Sequence, residues 1–303
     1  MRYIVTGATG FVGSHLVRDL LARGHTVAAL IRPSTKPWRI TELVPRLAVI
    51  PGDLESVNRD AILAFRPEAA IHLGWQGVAQ GARNDPATLG PNICGSASFA
   101  SAVADAGCGT FVGVGSQAEC GSTVEILNEE SPVRPETLYG ASKAAARLVL
   151  EQICASRAMR FVWLRVLSVY GPQDDAQHLI PYLLRTLLER GRPALTGGDQ
   201  AWDYLFVSDV VRALYAAADS AEARGTYVLA SLAAPKLSAV CTLLRDLIDP
   251  SLPLGFGEAP VRGRDLRGDS ARFRSATGWE PRVSLEVGLR KTLEAHRNKS
   301  EAA

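Results

Sequence analysis

Thr6-Gly7-Ala8-Thr9-Gly10-Phe11-Val12-Gly13 directly follows the short apolar run Tyr3-Ile4-Val5 and opens an amphipathic stretch from Gly13 to Ala22. A glycine-rich turn between a strand and a helix lets the backbone bend tightly and approach a phosphate group. The free N–H groups and positive dipole end of the helix then favour the phosphate's negative charge. In that setting the turn predicts a dinucleotide cradle made by Gly7, Thr9, Gly10, Phe11, Val12 and Gly13.

Outward from the turn, short apolar runs alternate with longer helical stretches. The runs are Thr26–Leu30, Leu47–Ile50, Ala70–Leu73, Thr110–Val114 and Arg160–Leu164, and the helical segments include Asn92–Ala106 and Leu138–Ser156. Nearly continuous apolar strands are those buried on both faces of a parallel sheet. The alternation predicts an α/β fold, a Rossmann-type doubly wound parallel sheet. Beyond Gly171-Pro172 glycine and proline become frequent, and a helix is expected over Pro181–Arg190. We therefore expect a dinucleotide-binding domain over 1–170 with a return segment at about 203–232. A smaller α/β substrate-binding lobe is expected over 171–202 and 233–303.

The 303 residues carry a formal charge of +2, which offers no clustered basic face for nucleic acid. Five scattered cysteines without a Cys-x-x-Cys pair read as reduced thiols. No apolar run reaches the ~18 residues of a membrane span, and no leader is expected ahead of the first strand. A cytoplasmic protein is the expectation. No His pair or carboxylate cluster stands out at metal-ligand spacing, so no metal is expected.

The second strand ends Leu30-Ile31-Arg32-Pro33-Ser34 without the carboxylate that accepts from a ribose 2′-OH in NAD-type folds. Arg32, a planar and permanently charged fork, instead suits a 2′-phosphate, unless it is a solvated loop residue. This favours NADP(H) and leaves NAD(H) possible. Asp53 is a candidate acceptor for the adenine amino group or a simple helix cap. Leu54, Leu73 and Gly74, which follow the third and fourth strands, join the expected cofactor contacts, as do Tyr139 and Lys143. Tyr139 and Lys143 lie one helical turn apart on one face. A phenol titrates near ~10, so a neighbouring cation is needed to favour its anion. Ser116 follows the fifth strand, on the edge of the sheet where ligands bind.

With these motifs the sequence resembles the extended short-chain dehydrogenase/reductase family, in the branch of nucleotide-sugar epimerases, dehydratases and ketoreductases. Gly7, Gly10 and Gly13 match its glycine loop, Asp53 its adenine-side acid, Asn92 a frequent helix asparagine, and Ser116, Tyr139 and Lys143 its triad. Leu164–Pro172, Trp202–Val210 and Thr277–Pro281 match later signatures. The resemblance implies that Tyr139 is the general acid/base, that Lys143 orients the ribose and tunes Tyr139, and that Ser116 positions the reacting oxygen. It also implies a homodimer through the helices carrying Asn92 and Tyr139, and a nucleotide-sugar substrate.

Departures from the family pattern narrow the reaction. Its dehydratases follow the serine with Asp-Glu, whereas Gln117 and Ala118 stand here and cannot do acid/base work at neutral pH. Cys120-Gly121 replaces an aromatic wall, and Trp202 replaces an arginine that grips the substrate pyrophosphate. That grip passes to Arg262, Arg264 or Arg185, or all three are solvated. Trp75, Gln117, His178, Trp202 and Arg262 are the expected substrate contacts. His72 is expected to be structural, and Glu119 to point to solvent. The combined expectation is NADPH-dependent reduction of a 4-keto-6-deoxy nucleotide sugar. An NAD-dependent nucleotide-sugar epimerase is the alternative, and a non-catalytic NADP-binding regulatory protein the second.

Overall fold

The computed structural model describes residues 1–122, 125–260 and 264–301. The first half alternates β1 (Arg2–Thr6), α1 (Phe11–Ala22), β2 (Thr26–Ile31), β3 (Ala48–Pro51), α2 (Arg59–Phe65), β4 (Ala69–His72) and α3 (Leu89–Asp105). Then come β5 (Thr110–Ser116), α4 (Leu138–Ser156), β6 (Arg160–Val166), β7 (Ser168–Tyr170), α5 (Leu179–Leu188), β8 (Ala194–Leu195) and β9 (Tyr204–Phe206). The chain continues through α6 (Val207–Asp219), β10 (Gly225–Leu229), α7 (Leu237–Ile248), β11 (Gly255–Phe256), α8 (Ala271–Thr277) and α9 (Leu285–Glu301).

Seven strands form one parallel sheet in the order β10-β6-β5-β4-β1-β2-β3. Side chains alternate between its two faces, and both faces are covered, which is why the strands read as continuous apolar runs. In β1, Tyr3 and Val5 pack with Leu16 and Leu20 of α1 and Leu214 of α6, while Ile4 packs with Phe99 of α3 and Leu150 of α4. In β6, Val162 and Leu164 take the first side, Phe161 and Trp163 the second. The strand order reverses between β1 and β4. Their C-terminal ends, Thr6 and His72, therefore diverge into a crevice where such sheets bind ligands. The Rossmann expectation holds.

A separate apolar cluster joins α5 (Leu183, Leu184, Leu187), α7 (Cys241, Leu244) and α9 (Leu289, Leu293) to Tyr170 and Phe206. The late strand β10 returns to the sheet and pairs with β6. All five cysteines are free thiols, and no helix among the described residues is long and apolar enough to cross a membrane.

Two helices begin earlier than their sequence suggested. Helix α3 starts at Leu89 and not at Asn92, and α5 at Leu179 and not at Pro181. In both, the proline (Pro91, Pro181) occupies the first turn. The N–H groups there have no intrahelical partner, so losing one costs nothing.

Candidate active site

A cleft of about 1240 Å³ opens along the C-terminal ends of β1, β2, β4, β5 and β6. The expected cofactor, triad and substrate contacts that the structure describes line it: Gly7, Thr9, Gly10, Phe11, Val12, Gly13, Arg32, Asp53, Leu54, Leu73, Gly74, Trp75, Ser116, Gln117, Tyr139, Lys143, His178 and Trp202. Arg262 lies outside the described residues.

The glycine loop fits a dinucleotide. Gly7 has φ +70°, in the left-handed region, and packs so closely that a Cβ on it would lie 2.8 Å from Gly74 N. A Cβ on Gly13 would lie 2.0 Å from the Gly7 carbonyl oxygen. Helix α1 has Gly10 at its N-cap, no side-chain cap and no acidic residue in its first turn. Its leading N–H groups thus face the cleft uncapped, ready for an anion. Gly13→Ala should force α1 away from the loop at a cost of about 1–3 kcal/mol. The expected result is a lower thermal midpoint together with weakened dinucleotide binding in a fluorescence titration. An unchanged titration would mean that the tight packing does not shape the cradle.

Behind the loop runs a buried relay. Ser96 donates to the Asn92 carbonyl, so it can only accept from His72 Nε2–H at 2.8 Å. His72 Nδ1 therefore accepts from Thr6 Oγ1 at 2.7 Å, and Thr6 in turn accepts from Gly74 N–H at 2.9 Å. Burial, and secondarily Lys143, pushes the imidazole down to about 3, so it stays neutral. His72 ties β1 and β4 to α3. Asn92 completes the tie by clamping the Gln76 backbone at both N–H (2.8 Å) and carbonyl (3.0 Å).

Arg32 and Asp53 line the cleft beyond the ends of β2 and β3. Asp53 Oδ1 accepts from Glu55 N, Ser56 N and Ser56 Oγ at 2.7–2.9 Å, so this oxygen caps a turn. Helix α2 has its own cap in Asn58. Burial tends to raise the Asp53 pKa, but the hydrogen bonds from Ser56 and Glu55, with Arg32 behind them, bring it below the usual range.

Around the triad, Thr137 caps α4 by accepting from Gly140 N, which sets Tyr139 and Lys143 in the first two turns. Burial raises the Tyr139 phenol, while a Ser116 hydrogen bond and the Arg83 charge pull it down and Glu119 pushes it up. Lys143 does not point at the phenol. Its Nζ donates to the Val114 carbonyl at 2.7 Å, sits 3.6 Å from the Trp75 ring centre, and lies 6.0 Å from that of Tyr139. Burial lowers its pKa to about 7, against an opposing pull from Glu119.

Several expectations need correction. Glu119 does not reach solvent: it is fully buried, accepting from Ser116 N (3.0 Å), Trp163 Nε1 (2.9 Å) and Arg165 Nε (3.1 Å). The legible signal was Arg165 inside an otherwise apolar strand, because a buried guanidinium requires a carboxylate. Arg185 is exposed on α5 and does not line the cleft. Arg264 lines a smaller adjoining cavity of about 170 Å³, shared with Arg83, Gln117 and Trp202. Trp202 donates from Nε1 to Ser168 Oγ at 2.7 Å. His178 Nδ1 lies 2.8 Å from Asp174 Oδ1, whose side chain is buried. The hydrogen bond to Asp174 raises the His178 pKa. Asp174, Asp175 and His178 bring ligand-type atoms within 4.8 Å of one another, a grouping the sequence reading did not anticipate. Asp175 is engaged by Arg39 at 2.7 Å.

The parallel sheet with its uncapped helix start, and the Ser-Tyr-Lys group beside it, define an NAD(P)-dependent enzyme of the extended short-chain dehydrogenase/reductase type. The chain belongs to the NAD dependent epimerase/dehydratase family, whose model matches residues 3–230. It is 30% identical to a UDP-glucose 4-epimerase of Mycolicibacterium smegmatis over 99% of this chain and all of the relative. It is 28% identical to a GDP-6-deoxy-D-mannose reductase of Pseudomonas aeruginosa over 96% of each. The solved structure of RMD from Pseudomonas aeruginosa with NADPH superposes with a TM-score of 0.81 at 28% identity, covering 98% of this chain and 99% of that one.

Proposed function

We propose that this enzyme reduces the keto group of a 4-keto-6-deoxy nucleotide sugar with NADPH. The observation that carries the reading is Arg32, which directly follows β2 in the cleft, where an NAD-type fold has a carboxylate. The similarity to a GDP-6-deoxy-D-mannose reductase supports it. NADPH supplies the hydride when bound. Gly7, Gly10 and Gly13, with the start of α1, would hold the pyrophosphate, Arg32 the 2′-phosphate, and Asp53 the adenine. Tyr139 gives its phenolic proton to the substrate oxygen, and Ser116 holds that oxygen by a hydrogen bond. Lys143 orients the ribose. Trp75, Gln117, His178 and Trp202 face the sugar, and the lobe built on α5, α7 and α9 closes the substrate side. A homodimer through α3 and α4 fits the exposure of Leu148 (55%) and Val149 (38%) on α4.

The test is turnover. NADPH should be consumed one for one with a 4-keto-6-deoxy nucleotide sugar. Interconversion of UDP-glucose and its C4 epimer, with no net consumption of cofactor, would replace this reading by the epimerase reading, which the 30% relative favours. Arg32→Ala provides a separate check. A charge-assisted contact is worth about 1.5–3 kcal/mol, so NADPH should bind about 10–100-fold more weakly while NADH is unaffected. Equal losses for both cofactors would show that Arg32 does not read the 2′-phosphate.

A further inference from the structure

The loop joining β4 to α3 is clamped onto the start of α4. Asn84 Oδ1 accepts from Leu138 N at 3.0 Å and the Arg83 carbonyl from Tyr139 N at 2.8 Å. These satisfy two of the leading N–H groups that a helix cannot satisfy itself. The clamp carries the Arg83 side chain into the site. Its Nε donates to the Val78 carbonyl at 3.2 Å, and its Cζ lies 5.2 Å from the Tyr139 ring centre. Among the described residues no carboxylate forms an ion pair with it. We propose that Arg83 is a second charge-setting partner of Tyr139, beside Lys143, a fixed cation that stabilises the phenolate left when the proton passes to substrate. The proposal rests on the acid/base role given to Tyr139 above.

The other groups facing the phenol leave room for a further cation. Ser116 is neutral. Glu119, from the turn after β5, is paired with Arg165. Lys143, from the same helix, is turned to Val114 and Trp75. His178, on the lobe side, is held by Asp174. A guanidinium keeps its charge throughout. In the step itself the Tyr139 O–H bond breaks as the substrate O–H bond forms, and solvent later returns a proton to the phenolate.

The experiment measures the phenol directly. Tyrosinate absorbance is titrated in the full chain and in Tyr139→Phe, and their difference isolates Tyr139. The same pair is then measured with Arg83→Gln, which keeps a donor without the charge, and with Arg83→Lys. An opposite charge at this range moves a pKa by about one unit or more. Arg83→Gln should therefore raise the Tyr139 midpoint by about one pH unit, and Arg83→Lys should restore most of the shift. The alkaline limb of the kcat profile should move with it while KM stays constant. An unmoved midpoint in Arg83→Gln overturns the proposal, as does a raised KM with an unchanged pH profile, which would make Arg83 a substrate grip. Turnover that survives Tyr139→Phe would refute the acid/base role alone, because the absorbance titration reads the Arg83–Tyr139 pairing without turnover.

Discussion

Tyr139→Phe should lower kcat by about 10²–10⁴-fold, the usual contribution of a positioned general acid, while leaving NADPH affinity nearly unchanged. The substitution removes one hydroxyl at the head of α4 and no helix contact. The caps on Leu138, Tyr139 and Gly140 use backbone N–H groups, which phenylalanine keeps. The Ser116 hydroxyl loses the phenol that interacts with it, and Lys143 is turned away to the Val114 carbonyl and the Trp75 ring. His72, at the end of β4, is neutral, buried and engaged at both nitrogens. The informative measurement is single-turnover hydride transfer beside a cofactor titration. Loss of both together would indicate a collapsed site, and retention of transfer would pass the acid's role to another group.

Glu119→Leu should destabilise the protein by about 3–5 kcal/mol, the cost of leaving one member of a buried ion pair unpaired. Arg165 is 3% exposed and its Nη1 already lacks a partner, so the loss of the carboxylate leaves a buried guanidinium without its counter-charge. The same change strips the acceptor from Trp163 Nε1 and from Ser116 N–H. Urea unfolding should show a large fall in midpoint with little change in slope. In the double variant Glu119→Leu/Arg165→Leu the charge cost disappears, and part of the stability should return. Full additivity of the two single losses would mean that the residues do not act as a pair. Because Glu119 also anchors the Ser116 backbone, the single variant should lose turnover beyond its effect on folding.

The sequence by itself determined the features coded by near neighbours. The glycine turn at 6–13 is read from the backbone freedom and small volume its positions require, and the structure packs Gly7 and Gly13 against backbone. The apolar strands follow from burial on two faces, and the pair Tyr139/Lys143 from helical period. The expected contacts of the cleft followed, because strand ends in such a sheet converge on one side. What only the tertiary structure decided is which distant charges meet. Glu119 finds Arg165 across 46 positions and Asn84 caps Leu138 across 54, distances over which sequence periodicity carries no information. The direction of Lys143, turned to Val114 and Trp75 and away from its helical neighbour, and the placing of Arg83 over Tyr139 belong to the same class. A long charged side chain has many rotamers of similar energy in isolation. Packing, desolvation and the few acceptors within reach select one of them.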